Sequence, residues 1–220
     1  MASASKASFE KNCRDVSRLI EIHGELTGKK AGRRAGVEVI NKSAVALTSA
    51  AWEAYVEDIC QEAAGHLSAN LADPTRLPDD LKKVLSKRVL ESKHDFAAMG
   101  LAADGWKKIL TDHVKELTEG RKGGLNTPKS AEVRDLFLKA LGMSDITTTW
   151  NWTNVDKNKA CTDLDNYITL RGAIVHRVKA DTAVTKKDAG DFLGHITKLV
   201  EKTDAAVNAH LTALTARSLF

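Results

Sequence analysis

An all-α bundle is the fold class that this 220-residue sequence predicts, on three observations. Apolar residues recur at three- and four-residue steps through most segments, the period of a helix that buries one face. Valine, isoleucine and the aromatics seldom alternate with polar residues, so the two-residue period of a half-buried strand is missing. Glycine, proline and short polar runs divide the periodic segments with loops short enough for one compact domain over residues 1–220, its core at about 8–216.

A first helix is expected from about Ser8 to Leu26, with Phe9, Cys13, Val16, Leu19 or Ile20, and His23 on one stripe. It ends at Gly28-Lys-Lys-Ala-Gly-Arg-Arg-Ala-Gly36, where three glycines break the helix and Lys29, Lys30, Arg33 and Arg34 gather four cations in an exposed loop. A long central helix follows from about Val37 to Leu71, its spacing carried by Ile40, Ala44, Leu47, Ala51, Tyr55 and Ile59. Asp73-Pro74 and Leu77-Pro78 interrupt the pattern. Asp79 and Asp80 then suit the start of a helix over 79 to 91, because acids are favoured beside the positive end of the helix dipole. After the turn Asp104-Gly105, Trp106, Ile109, Leu110, Val114 and Leu117 keep helical steps to about Glu119, where Gly120-Arg-Lys-Gly-Gly124 opens a second basic loop. Asn126-Thr127-Pro128 reads as a capped start with proline in the first turn, leading through Val133, Phe137 and Leu141 to a stop at Gly142. Residues 145 to 155, with Thr147 to Thr149 and Trp150-Asn-Trp152, lack a helical period and read as an ordered connection. Two last helices are expected over about 156 to 178 and 185 to 216, the second marked by Phe192, Ile196, Leu199 or Val200, and Val207.

Composition narrows the function. Hydrophobic residues at 43% and charged residues at 28% are ordinary for a folded globular protein and set disorder aside. Uncharged runs such as Ser43 to Trp52 fall far short of the roughly 20 apolar residues that span a bilayer, so no membrane partner is expected. Met-Ala-Ser-Ala-Ser-Lys leads straight into a charged periodic segment without the apolar stretch of a signal peptide. Cys13, Cys60 and Cys161 are odd in number, widely separated and free of any Cys-x-x-Cys pair, which predicts neither a disulfide framework nor a zinc site. A reducing cytoplasm is the expected compartment. Glu91-Ser-Lys-His94 has the Glu-x-x-His spacing of carboxylate-bridged metal bundles, but those need two such motifs and further glutamates, and no metal or other cofactor is expected. No Gly-x4-Gly-Lys-Ser/Thr loop or dinucleotide glycine fingerprint occurs, which sets aside the commonest nucleotide enzymes. A net charge of +4 is too modest to announce nucleic-acid binding by itself, so that reading rests on local clusters.

Residues 171 to 176, Arg-Gly-Ala-Ile-Val-His, set an arginine and a histidine five positions apart near the end of an amphipathic segment. Before them come Ala51-Trp52-Glu53-Ala-Tyr55-Val-Glu57-Asp58 on the long helix, Leu125-Asn126-Thr127-Pro128 ahead of a helix, Leu136-Phe137 followed by Leu141-Gly142, and Trp150-Asn-Trp152. In this order the chain resembles the HEPN superfamily, most closely its RiboL-PSP-HEPN branch, across nearly its full length. The resemblance implies an all-α bundle whose two Arg-x4-His motifs meet across a homodimer and form a composite ribonuclease site. It carries Arg171 and His176 over as catalytic positions and Glu53 as an acid of the same cleft. It also implies defence, stress or toxin-like RNA cleavage restrained by a regulatory protein partner. The chain departs from the family directly after the arginine, where a polar residue, often asparagine, is usual and Gly172 stands here.

The chemistry of those residue types fits. RNA carries its own nucleophile, the 2′-hydroxyl, so a protein that moves protons and stabilises a charged phosphorane needs no metal. Histidine exchanges protons near neutral pH, and arginine grips phosphate oxygens through a planar, permanently charged fork. Five residues on a straight helix turn through about 140°, so Arg171 and His176 do not share a face, and a two-fold dimer placing both copies around one cleft, or a bend at Gly172, would relieve the difficulty. Arg177, Lys179, the loop cations Lys29, Lys30, Arg33 and Arg34, and residues 121 to 122 are candidate phosphate contacts. Plainer readings stand beside these: a helix-terminal salt bridge for Arg171 and His176, an arginine-paired bundle acid for Glu53, solvated turns for the basic loops, and core packing rather than base stacking for Trp52, Tyr55, Trp150 and Trp152. A non-catalytic module that binds RNA or a protein partner is the alternative function.

Overall fold

The computed structural model describes residues 2–27, 36–91, 97–119, 125, 127–177 and 183–220. Among them run seven α-helices: α1 (Ala4–Thr27), α2 (Glu38–Asn70), α3 (Asp79–Leu90), α4 (Gly105–Glu119), α5 (Ser130–Leu141), α6 (Lys157–Arg177) and α7 (Lys186–Thr215). Short 3-10 turns lie at Pro74–Arg76, Ala97–Leu101 and Ile146–Thr149, and the described residues hold no strand, only one antiparallel bridge between Trp152 and Val155. The all-α expectation holds. Among the described residues no helix is long and apolar enough to cross a membrane.

The bundle is organised on α2, which packs against α1, α4, α5, α6 and α7. Its buried residues include Ala44, Val45, Trp52, Tyr55, Val56, Ile59, Cys60, Ala63 and Leu67, a band wider than the single stripe of a surface helix. Leu47, placed on that stripe by its spacing, is 46% exposed instead, because it borders a shallow groove beside Asn12 and Asp15 of α1. Three of the four motif aromatics are core. Trp52, Tyr55 and Trp150 are fully buried, Trp52 and Trp150 meet edge to face at 6.0 Å, and each indole N–H is satisfied: Trp52 Nε1 by the Pro128 carbonyl at 3.0 Å, Trp150 Nε1 by Thr203 Oγ1 at 2.9 Å. Trp152 is partly buried, its ring 5.4 Å from that of His195. These contacts occupy the rings that base stacking would need.

Helix directions follow from the ties between them. α1 runs antiparallel to α2, since Glu62 of α2 accepts from the amides of Ala4 and Ser5 at one end and His23 bonds Asn41 at the other. α7 runs parallel to α2, joined by Asn41 Nδ2 to the Val184 carbonyl, the Tyr55 hydroxyl to the Val200 carbonyl, and His66 to Thr215. α6 returns antiparallel to α7, with His195 Nε2 against the Ala160 carbonyl and Tyr167 stacked on Phe192 at 4.5 Å. The end of α6 therefore lies toward the N-terminal half of α2.

Helix ends show where local sequence suffices. Thr185 and Asp188 form a reciprocal capping box at the start of α7. Gly142 ends α5 in the left-handed region at φ 69°, and a Cβ there would also strike Pro78 at 2.5 Å, so glycine is required twice over. The start of α5 differs from expectation. It begins at Ser130, with Pro128 outside the helix, and the free amide of Ser130 is met by Asp165 of α6 at 2.8 Å while the Ser130 hydroxyl donates to the same carboxylate at 3.0 Å. A tertiary partner replaces the local cap, and Asn126, the expected cap residue, lies outside the described residues.

Replacing Asp165 with alanine is expected to lower stability by about 0.5–2 kcal/mol, the range for loss of a helix N-cap acceptor, while Asp165→Asn retains most of it. Urea unfolding of the two variants checks this; equal losses would show that charge rather than the amide contact is what matters.

Candidate active site

α6 is an unbroken α-helix through the Arg-x4-His motif to Arg177. Its buried stripe runs Ala160, Leu164, Ile168, and the next step on that stripe is Arg171, which is why a charged side chain ends up half-buried. Gly172 is part of the regular helix, and a Cβ on it would meet nothing within 4 Å. The helix thus passes Gly172 without interruption, and on a regular helix Arg171 and position 176 point about 140° apart. His176 and Arg177 belong to the last turn of α6, but their side chains lie outside the described residues, as do Lys179 and the loop cations Lys29, Lys30, Arg33, Arg34, Arg121 and Lys122.

What the structure brings together is Arg171 and Glu53. Trp52 points into the core, and the next residue, turned by about 100°, falls at the edge of the buried band and faces α6. Glu53 is half-buried and within electrostatic reach of Arg171. Burial raises its carboxyl above the ordinary carboxylate value, the negative charge of Glu57 one turn along α2 raises it further, and Arg171 opposes both. The two side chains form no ion pair among the described residues, and the Nε–H of Arg171 is buried without an acceptor. A buried donor left unpaired costs about 1–3 kcal/mol.

Glu57 stands one turn after Glu53 in the same motif. It is half-buried, its Oε1 accepts the Leu125 amide at 2.8 Å, and burial raises its carboxyl against that hydrogen bond. Its other charged neighbours are Asp58 on α2 and Glu119 on α4.

The remaining candidates for proton or metal chemistry are otherwise engaged. The sequence has seven histidines, and the five with described side chains each bond to the bundle: His23 to Asn41, His66 to Thr215, and His113, His195 and His210 to the carbonyls of Lys139, Ala160 and Leu141. Burial holds His113, His195 and His210 below the usual imidazole value. The thiols are pushed the other way: burial raises Cys13 to about 11 and also raises Cys60 and Cys161, so none is an activated nucleophile. No group of three His, Cys, Asp or Glu able to hold a metal occurs among the described residues.

Compared with known protein families, the chain matches the model of RiboL-PSP-HEPN over residues 7–209. No curated protein and no solved structure matches it.

Because the Gly172 Cβ position is open and the helix is regular there, Gly172→Ala is expected to stabilise the protein by about 0.5–1 kcal/mol through lost freedom of the unfolded chain. A lower denaturation midpoint for the variant would show that the motif helix needs a glycine.

Proposed function

The chain belongs to the RiboL-PSP-HEPN family, and we propose that it is a metal-independent endoribonuclease, a single HEPN domain acting as a cytoplasmic homodimer. The observation that carries this reading is the half-buried Arg171, whose Nε–H lacks an acceptor while Glu53 faces it from the central helix. A scissile phosphate is the acceptor of matching chemistry. Arginine holds its oxygens in a fork and offsets the extra negative charge of the phosphorane. A histidine, His176, takes the proton of the 2′-hydroxyl as that oxygen attacks phosphorus. The P–O5′ bond breaks, and the 5′-oxygen receives a proton from the second copy of the motif, leaving a 2′,3′-cyclic phosphate and a 5′-hydroxyl. Two copies of the motif serve one cleft because one continuous helix separates Arg171 from position 176 by about 140°.

Exposed apolar side chains favour association at that end of the bundle. Leu26 closes α1, Val39 opens α2 and Val175 lies in the last turn of α6; they are 66%, 64% and 47% exposed, and the helix directions place all three near the motif. Arg177, Lys179 and the cations Lys29, Lys30, Arg33 and Arg34 supply salt-sensitive phosphate contacts that guide RNA to the cleft. Defence, stress or toxin-like RNA cleavage under a regulatory protein partner is the biological setting this reading assigns. Gly172, where the family usually has a polar residue, favours a second reading, a non-catalytic HEPN module that binds RNA or a protein partner.

Purified wild-type protein is expected to cut labelled total and transfer RNA in EDTA, leaving 2′,3′-cyclic phosphate ends. His176→Ala is expected to slow cleavage by about 10²- to 10⁴-fold, and Arg171→Ala to abolish it. RNA bound but left intact by a folded wild type would select the binding module.

A further inference from the structure

Glu53 and Glu57 present two carboxylates one turn apart on α2, and Arg171 is the cation described opposite Glu53. Glu57 is fixed: its Oε1 holds the Leu125 amide, so its charge cannot swing away from Glu53 into solvent. A phosphate that binds the Arg171 guanidinium, whose Nε–H has no acceptor in the free protein, diverts the positive neighbour described for Glu53 and adds a negative one. Between Glu57 on one side and phosphate on the other, an ionised Glu53 is repelled twice, whereas a protonated Glu53 donates a hydrogen bond to a phosphate oxygen. We propose that Glu57 is a positioning residue of the cleft, anchored on Leu125, which makes Glu53 meet RNA phosphate in its protonated form, so that RNA and one proton bind together. This rests on the RNA-binding reading of the cleft and adds a proton and a residue to it.

The sign follows from linkage. RNA favours the protonated carboxyl, so affinity is high below the titration of Glu53 and falls as pH rises through it, by up to tenfold per pH unit for one proton. The neighbours that set that window are Glu57 on α2 and Arg171 on α6 for Glu53, with Asp58 on α2 and Glu119 on α4 acting on Glu57. Removing the Glu57 charge lowers the pH at which Glu53 ionises, and the fall in affinity moves to lower pH. Imidazoles in general also gain charge on acidification, and the His176→Ala variant controls for that at the motif.

The test uses a fluorescent single-stranded RNA oligonucleotide with 2′-O-methyl sugars, which lack the attacking hydroxyl, and reads affinity against pH by anisotropy. Wild type and His176→Ala should both show the Glu53 step. Glu57→Gln, which keeps an amide oxygen for the Leu125 N–H, should show it at lower pH, and Glu53→Gln should not show it at all. Superimposable profiles for wild type and Glu57→Gln, or a step that survives in Glu53→Gln, would overturn the proposal while leaving RNA binding intact. No binding by any of the four at any pH would overturn the RNA reading and this inference with it.

Discussion

The burial of Trp52 and its neighbours on α2 fixes where everything else in the bundle sits. An indole at that point is enclosed by Tyr55 and Trp150 and tied by its N–H to the carbonyl of Pro128, just ahead of α5. That one contact locks the rotation of α2 about its own axis. The residue after Trp52 is then delivered to the rim of the core at a fixed depth, and Glu53 is half-buried for this reason rather than by any property of its own. Arg171 arrives from the other direction, on the stripe Ala160, Leu164, Ile168 that seats α6. Both charged groups stand on helices whose packing leaves them little freedom, which is how a site keeps its geometry before its ligand arrives.

The cost of that arrangement is local. A guanidinium N–H without an acceptor and two carboxyls raised by burial are each unfavourable in the free protein. Many other polar groups of the interior are satisfied: five histidines find partners, the indoles of Trp52 and Trp150 are bonded, and the start of α5 borrows Asp165 from another helix. Among the described residues two other buried groups also lack a partner, the Ser49 hydroxyl on α2 and the Trp106 indole N–H on α4, but only at Arg171 is the unmatched group charged and opposed by a carboxyl from a neighbouring helix.

The fold was legible in the sequence because helical period is a local property. The ends of α2 and α7, the stop at Gly142 and the break at Pro74 can all be read from a few adjacent residues. What escaped reading came from distant partners. α1 starts at Ala4 rather than near Ser8 because Glu62, far along the chain, accepts its first amides. Pro128 stays outside α5 because Asp165 caps Ser130. Leu47 fits the apolar period yet faces the polar edge of α1. At the site, Arg171 was visible as half of a motif and Glu53 only through a family likeness, since nothing in spacing pairs position 53 with position 171. Glu57 was in plain view within the same motif, but its tie to Leu125 exists only in the folded chain.

On the proposed reading, Arg171 is a phosphate receptor that gains its missing acceptor when RNA binds. Arginine side-chain NMR tests it most directly, with the Arg171 Nε–H resonance assigned by its absence from Arg171→Ala and followed while the 2′-O-methyl oligonucleotide is added. The account predicts that this resonance moves downfield at saturation, as a hydrogen bond to phosphate forms, ahead of those of arginines paired in the free protein such as Arg18 and Arg88. An Arg171 signal that stays in place while the oligonucleotide binds would contradict it.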